Sequence, residues 1–340
     1  CESRNYVQAF DKATGTWKWH HEMGGCGATA PTFFEDRVYI ASSRWALQAM
    51  DAQTGRLLWT FPSIENVVEQ PPMGYPFLYD PAKPAVDNER VYIVSMYSDD
   101  LAVYRGERKD GGSSLLAVNR QSGKLEWEFR VDKETDGEFT GPTVSQQAVS
   151  FVDDKILYVV DPQTGAELWH SDKSRYIIGP PTWYDSELYV VGYSDRSFCI
   201  FSFDEKTGAE QQRLPMQLEE GSVYSGQAYR IGNHLFAIMG ISIGFRPPTA
   251  SLYAFDLESG QIRWRSSLGE IKSNSLLLYD DTTIYLSTYQ AVYAINQQTG
   301  QRRWRFVVRN GLGSEPALEN NVLYIGDTGG DLHAILISQK

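Results

Sequence analysis

One pattern recurs along the chain: residues 9–20 read AFDKATGTWKWH and residues 49–60 read AMDAQTGRLLWT. A Ser/Thr-Gly pair returns at Gly15, Gly55, Gly123, Gly165, Gly208, Gly260 and Gly300, at intervals of 40, 68, 42, 43, 52 and 40 residues. Four residues before each glycine stands Asp or Asn: Asp11, Asp51, Asn119, Asp161, Asp204, Asp256 and Asn296. Four residues after it stands a tryptophan in six of the seven copies: Trp19, Trp59, Trp127, Trp169, Trp264 and Trp304, with Gln212 the exception. Self-similarity at this period restricts the chain to a repeat architecture before any other property is weighed.

Each position in the pattern has a physical reason. An Asp or Asn side chain accepts hydrogen bonds from backbone two residues on and opens a tight turn. Glycine supplies the left-handed conformation that closes a hairpin with a bulge. Before the turn, runs such as SLYAFD, AVYAIN and LLAVN are apolar and partly alternating, as strands are. Upstream lies another strand pair, for example APTFFEDRVYIASS or SLLLYDDTTIYLST. The unit is therefore four short antiparallel strands in about 40 residues, which is a propeller blade. A blade cannot bury both faces alone, so the six in-register tryptophans are expected as wedges between neighbouring blades. Trp17, Trp45 and Trp183 fall outside the register.

The fold class expected is all-β, a β-propeller of four-stranded antiparallel blades, over residues 1–340 as a single domain. The chain offers about 29 strands. Seven blades fit that number best; eight blades with an incomplete N-terminus is the alternative.

Composition matters mainly for what it excludes. A formal net charge of −12 opposes an electrostatic grip on nucleic acid or anionic lipid. The basic cluster QRRWRFVVR (Arg302, Arg303, Arg305, Arg309) reads as a charged edge strand that resists pairing, or as a patch for an anionic partner. The longest apolar run, LFAIMGISIGF, is too short to span a membrane as a helix. The three cysteines, Cys1, Cys26 and Cys199, form no CxxC pair and imply neither a zinc site nor a disulfide framework. His20 and His21 are adjacent on a strand and so face opposite ways, which rules them out as a joint metal pair.

The motif A-x-D-x-x-T-G-x-x-x-W resembles the PQQ-like, quinoprotein-type β-propeller repeat, and it runs along essentially the whole chain. Within that family the chain is similar to the lipoprotein subunit of the outer-membrane β-barrel assembly machinery. This likeness implies a non-catalytic scaffold in the bacterial cell envelope that holds protein partners. It also makes Cys1 a candidate lipid anchor, with a chain cut short upstream as the alternative. The other branch of the resemblance is the PQQ-dependent dehydrogenases, which hold PQQ with calcium or a lanthanide beside a catalytic aspartate. Many of those carry adjacent cysteines, which this chain lacks. Asp99, Asp100, Glu65 and Glu69 are the carboxylates that reading would use. No cofactor or metal is expected under the scaffold reading. A third possibility is a ligand sensor or lectin-like module.

Function is expected where the repeat is interrupted. The long intervals hold insertions at 63–84, 96–113 and 240–251, rich in turn residues and aromatics. Met73, Tyr75, Phe77 and Tyr79, with Leu78, form one candidate partner-binding set. Phe245 and Arg246 form a second. Edge-strand pairing or loop insertion is the expected mode.

Overall fold

The computed structural model describes residues 5–23, 28–42, 47–61, 82–97, 112–131, 139–216, 222–242, 249–270, 277–288, 290–313 and 315–337. Every regular element among them is a β-strand, and the sheets are antiparallel. Four-stranded sheets cover 32–61, 85–131, 143–170, 222–270 and 277–307, and a five-stranded one covers 176–216. A three-stranded sheet covers 317–336, and residues 5–23 form a two-stranded hairpin. The chain is an all-β propeller whose strands make up seven four-stranded antiparallel blades, as the repeat predicts.

The backbone packs into two compact units. The first comprises residues 1–187 and the turn 204–209; the second comprises 188–203 and 210–340. In the first, the hairpin lays Val7, Trp19 and Met23 on Val38, Ile40 and Met50 of the 32–61 sheet. The opposite face of that sheet sets Tyr39, Leu47 and Ala49 against Val91, Ile93, Leu116 and Val118 of the 85–131 sheet. That sheet in turn packs Tyr92, Leu115 and Val131 on Phe151, Tyr158 and Val160 of the 143–170 sheet. In the second unit the 222–270 sheet packs on the 277–307 sheet through Phe236, Leu252, Ile284 and Tyr293. The 277–307 sheet packs on 317–336 through Tyr285, Val292, Leu323 and Ile325.

The core is thus a series of sheet-on-sheet layers. Interior strands carry apolar residues on both faces: Ile156–Val160 is buried at all five positions and Ala291–Asn296 at its first five. The last strand of a sheet instead alternates, as in Arg302–Val307, because its second face meets water.

Strands extend into two of the insertions. Arg90–Tyr97 and Gly112–Asn119 pair through Tyr97 and Gly112, and His234–Ser242 pairs with Thr249–Asp256 through Ile241 and Thr249.

Candidate binding surfaces

The repeated motif builds one device many times. In its second copy the Asp51 carboxylate accepts hydrogen bonds from the amides of Gln53 (3.1 Å) and Thr54 (2.8 Å) and from the Thr54 hydroxyl (2.6 Å). The Gly55 amide donates back to the Asp51 carbonyl at 2.9 Å. Asp11, Asp161 and Asp204 repeat this with Thr14, Thr164 and Thr207, Asp256 with Ser259 and Asn119 with Ser122. These donors hold the carboxyls of Asp11, Asp51, Asp204 and Asp256 below the ordinary carboxylate range. For Asp11 the Thr14 amide, the Thr14 hydroxyl and Lys18 bring it to about 2.

The tryptophan that ends one motif belongs to the glycine of the next. A β-carbon on Gly55 would stand 2.5 Å from the Trp19 ring. One on Gly123 would meet Trp59 at 2.7 Å, one on Gly165 Trp127 at 2.7 Å, and one on Gly208 Trp169 at 2.5 Å. Gly300 takes Trp264 in the same way. The glycines are held at φ between +65° and +72°, so both conformation and space exclude a side chain. Each ring also donates its indole N–H to the carbonyl of the residue after the next turn's Asp or Asn. The acceptors are Ala52, Arg120, Pro162, Glu205 and Gln297, at 2.9–3.0 Å. Trp19, Trp59, Trp127, Trp169 and Trp264 thus each stand over the following turn glycine.

Three places depart from the device. Gln212 sits at the tryptophan position, yet Leu214, two residues on and on the same face, puts a methyl 2.7 Å from a β-carbon on Gly260. A β-carbon on Gly15 would meet nothing within 4 Å. Trp304 packs beside Ile337 and against the Tyr285 ring (5.8 Å), but its indole N–H donates to no described residue.

A second fastening went unseen in the sequence. Tyr92 donates its hydroxyl to Asp87 (2.7 Å) and Tyr285 to Asp280 (2.6 Å), at the turn that opens each sheet. Burial, then the carboxylate partner, pushes both phenols up. The pattern D-x-x-x-x-Y stands in three repeats, VDNERVY, VDDKILY and YDDTTIY.

The candidate partner-binding residues Met73, Tyr75, Phe77, Leu78, Tyr79, Phe245 and Arg246 lie outside the described residues, as do Cys1, Cys26, Trp45, Glu65, Glu69, Asp99 and Asp100. Cys199 is a buried free thiol. Among the described residues no three His, Cys, Asp or Glu side chains converge as a metal site would require. His20 and His21 pair with Gln8 and Val7 in successive register and so occupy opposite faces. His20 joins an exposed aromatic group with Tyr6 (5.6 Å) and Trp17 (5.1 Å) on the outer face of the hairpin. Trp183 is half-buried, and its indole N–H has no partner among the described residues. Of the arginine cluster, Arg302, Arg303 and Arg305 lie on Arg302–Val307, the edge strand of its sheet, and Arg309 lies in the turn after it.

The family model described as outer membrane protein assembly factor BamB matches residues 3–114, 111–237 and 200–339. The chain belongs to this PQQ-like family. No curated protein sequence matches it. Among solved structures, BamB from Moraxella catarrhalis is 18% identical and superimposes with a TM-score of 0.65, over 94% of this chain and 88% of that one. The computationally designed Ika8 protein is 15% identical, with a TM-score of 0.67 over 98% and 90%. The quinohemoprotein alcohol dehydrogenase ADHIIG from Pseudomonas putida HK5 is 12% identical, with a TM-score of 0.63 over 94% of this chain and 66% of that one. At these identities the likeness is one of fold; membership of the BamB family rests on the three consecutive matches along the chain.

Proposed function

We propose that this propeller is a non-catalytic, protein-binding scaffold of the bacterial cell envelope, acting in the assembly of outer-membrane proteins. The observation that carries the reading is the match to the BamB family from residue 3 to residue 339. The proposal includes periplasmic or outer-membrane-anchored placement, with Cys1 as a candidate lipid-bearing residue; the family match supports an envelope location. Binding residues commonly sit on loops carried by a rigid scaffold. Met73, Tyr75, Phe77 and Tyr79 in one insertion, and Phe245 and Arg246 in another, are the proposed contacts.

The test is complementation. Deleting the gene from its bacterium should lower the level of folded outer-membrane barrels, measured by heat-modifiable gel mobility. The wild-type gene should restore it; a variant with Met73, Tyr75, Phe77, Tyr79, Phe245 and Arg246 all changed to Ala should not, although it melts as wild type does. Full restoration by that variant would remove these residues from the role, and an unchanged barrel level in the deletion would remove the role itself.

The likeness to ADHIIG supports a second reading, a compact PQQ-dependent dehydrogenase. Calorimetric titration with PQQ and calcium or a lanthanide, followed by dye reduction with alcohols and sugars, separates the two. The scaffold reading expects no binding and no turnover.

A further inference from the structure

Asparagine followed by glycine is the least durable asparagine step a chain can carry. Glycine has no side chain to shield its amide nitrogen from the neighbouring carboxamide. This chain has one such step, Asn310–Gly311. It stands in the turn that follows Arg302–Val307, with Asn310 exposed and Gly311 left-handed at φ +79°. Asn88, Asn233, Asn320 and Asn321 are exposed as well, but they precede Glu89, His234, Asn321 and Val322, each of which carries a side chain.

Asn310 fastens its turn to the hairpin that joins Val322–Gly326 to Leu332–Leu336. Its Nδ2 donates to Asp327 Oδ2 at 3.3 Å, and its carbonyl accepts the Thr328 hydroxyl. The Gly311 carbonyl accepts the Thr328 amide at 3.1 Å, and a β-carbon on Gly329 would stand 2.4 Å from Asn310 Nδ2. Asp327 is buried; it also accepts the Gly329 and Asp331 amides at 2.9 Å each, and His333 Nε2 lies 3.3 Å away. The Asp331 amide first, with His333 and Asn310, holds the Asp327 carboxyl below the ordinary carboxylate range against the effect of burial. Every group on this carboxylate is a donor, so a second carboxylate in the place of Asn310 Nδ2 would repel it.

We infer that Asn310 is a site of spontaneous deamidation, and that loss of its carboxamide releases the hairpin at 327–331 from the turn at 308–311. The Gly311 amide nitrogen gives up its proton and attacks Cγ of Asn310. The new N–Cγ bond closes a five-membered succinimide, and the Cγ–Nδ2 bond breaks as ammonia leaves with that proton. Water then opens the ring at either carbonyl and gives aspartate or isoaspartate at 310, a net gain of about 1 Da. In the folded turn the Gly311 amide donates to the Val308 carbonyl at 3.1 Å, so attack follows opening of the turn. Opening one exposed turn costs far less than global unfolding, and the reaction therefore proceeds from the native ensemble. The aspartate product sets a second negative charge beside Asp327. The isoaspartate product adds one carbon to the main chain and draws Gly311 away from Thr328. The inference is independent of the scaffold reading.

The test is prolonged incubation of the full chain at body temperature and mildly alkaline pH, with peptide mapping by mass spectrometry at intervals. The peptide holding Asn310 should gain mass at least tenfold faster than those holding Asn88, Asn233, Asn320 or Asn321. Isoaspartyl methyltransferase labelling should find isoaspartate as the larger share of the product, and Asn310→Gln should leave that peptide unmodified. The consequence is read on fresh protein. Asn310→Asp should melt about 2–4 °C below wild type at pH 7, and Asn310→Ser, which removes the carboxamide without adding charge, should lose less. Modification of Asn310 no faster than of the other four asparagines overturns the site, and a gain of mass without isoaspartate overturns the succinimide route. Equal melting of Asn310→Asp and wild type overturns the release of the hairpin.

Discussion

At the residue scale, the turn glycines answer two demands at once, and the two can be pulled apart. Gly165 has φ +72° and lies beneath Trp127, whereas Gly15 has φ +68° with open space around it. Replacing Gly15 by alanine should therefore cost only the left-handed strain, roughly 1 kcal/mol. Replacing Gly165 by alanine adds overpacking against a ring and should cost about 2–4 kcal/mol. Chemical denaturation of the two variants checks this; equal losses would mean that the rings do not press on the turns. The turn carboxylates carry a pH signature. Because Asp51, Asp204 and Asp256 are held below their ordinary values, their stabilisation is complete above about pH 4 and is lost as pH falls through the lowered values. A variant with all three changed to Asn keeps the acceptor, as Asn119 and Asn296 already do. Its melting temperature should be lower than wild type at pH 7 and should converge with it by about pH 2. Parallel melting curves at every pH would sink the assignment.

At the scale of the element, the unit that matters is a strand and the turn it lands on. Trp127 in Leu125–Val131 reaches the Pro162 carbonyl 35 residues on, and similar links hold the other sheets in register. Trp304 has the same ring and strand position but donates no hydrogen bond to a described residue. Trp127→Phe should therefore lose about 1–2 kcal/mol more than Trp304→Phe, the difference being one unmade hydrogen bond and a carbonyl left unpaired. Urea denaturation of both variants measures it, and equal losses would show that the N–H links add nothing. Leu214 teaches a related lesson. A strand displays every second residue on one face, so the wedge can move two positions and still fill the space above Gly260. Reading only the aligned position, Gln212, misses it.

At the scale of the molecule, the repeat made the architecture plain because each blade is specified locally. Asx, Thr/Ser and Gly lie within four residues of one another, and their turn follows from short-range hydrogen bonds and one allowed conformation. Alternating apolar strands then demand layers, and the 40-residue period makes those layers blades. The antiparallel four-stranded unit and the opposite faces of His20 and His21 were legible on that basis. The site was less so. The proposed partner contacts sit in the insertions, where no periodic pattern restricts the backbone, and the residues there belong to a proposal drawn from family membership. The sequence by itself determined the turn, the blade and the propeller class, because those depend on neighbours in the chain. Only the tertiary structure decided which ring covers which glycine, that Leu214 replaces a tryptophan, and that the Trp304 indole N–H donates to no described residue. Those outcomes depend on side chains more than 30 residues apart meeting across packed sheets, where volume and charge are settled by what lies opposite.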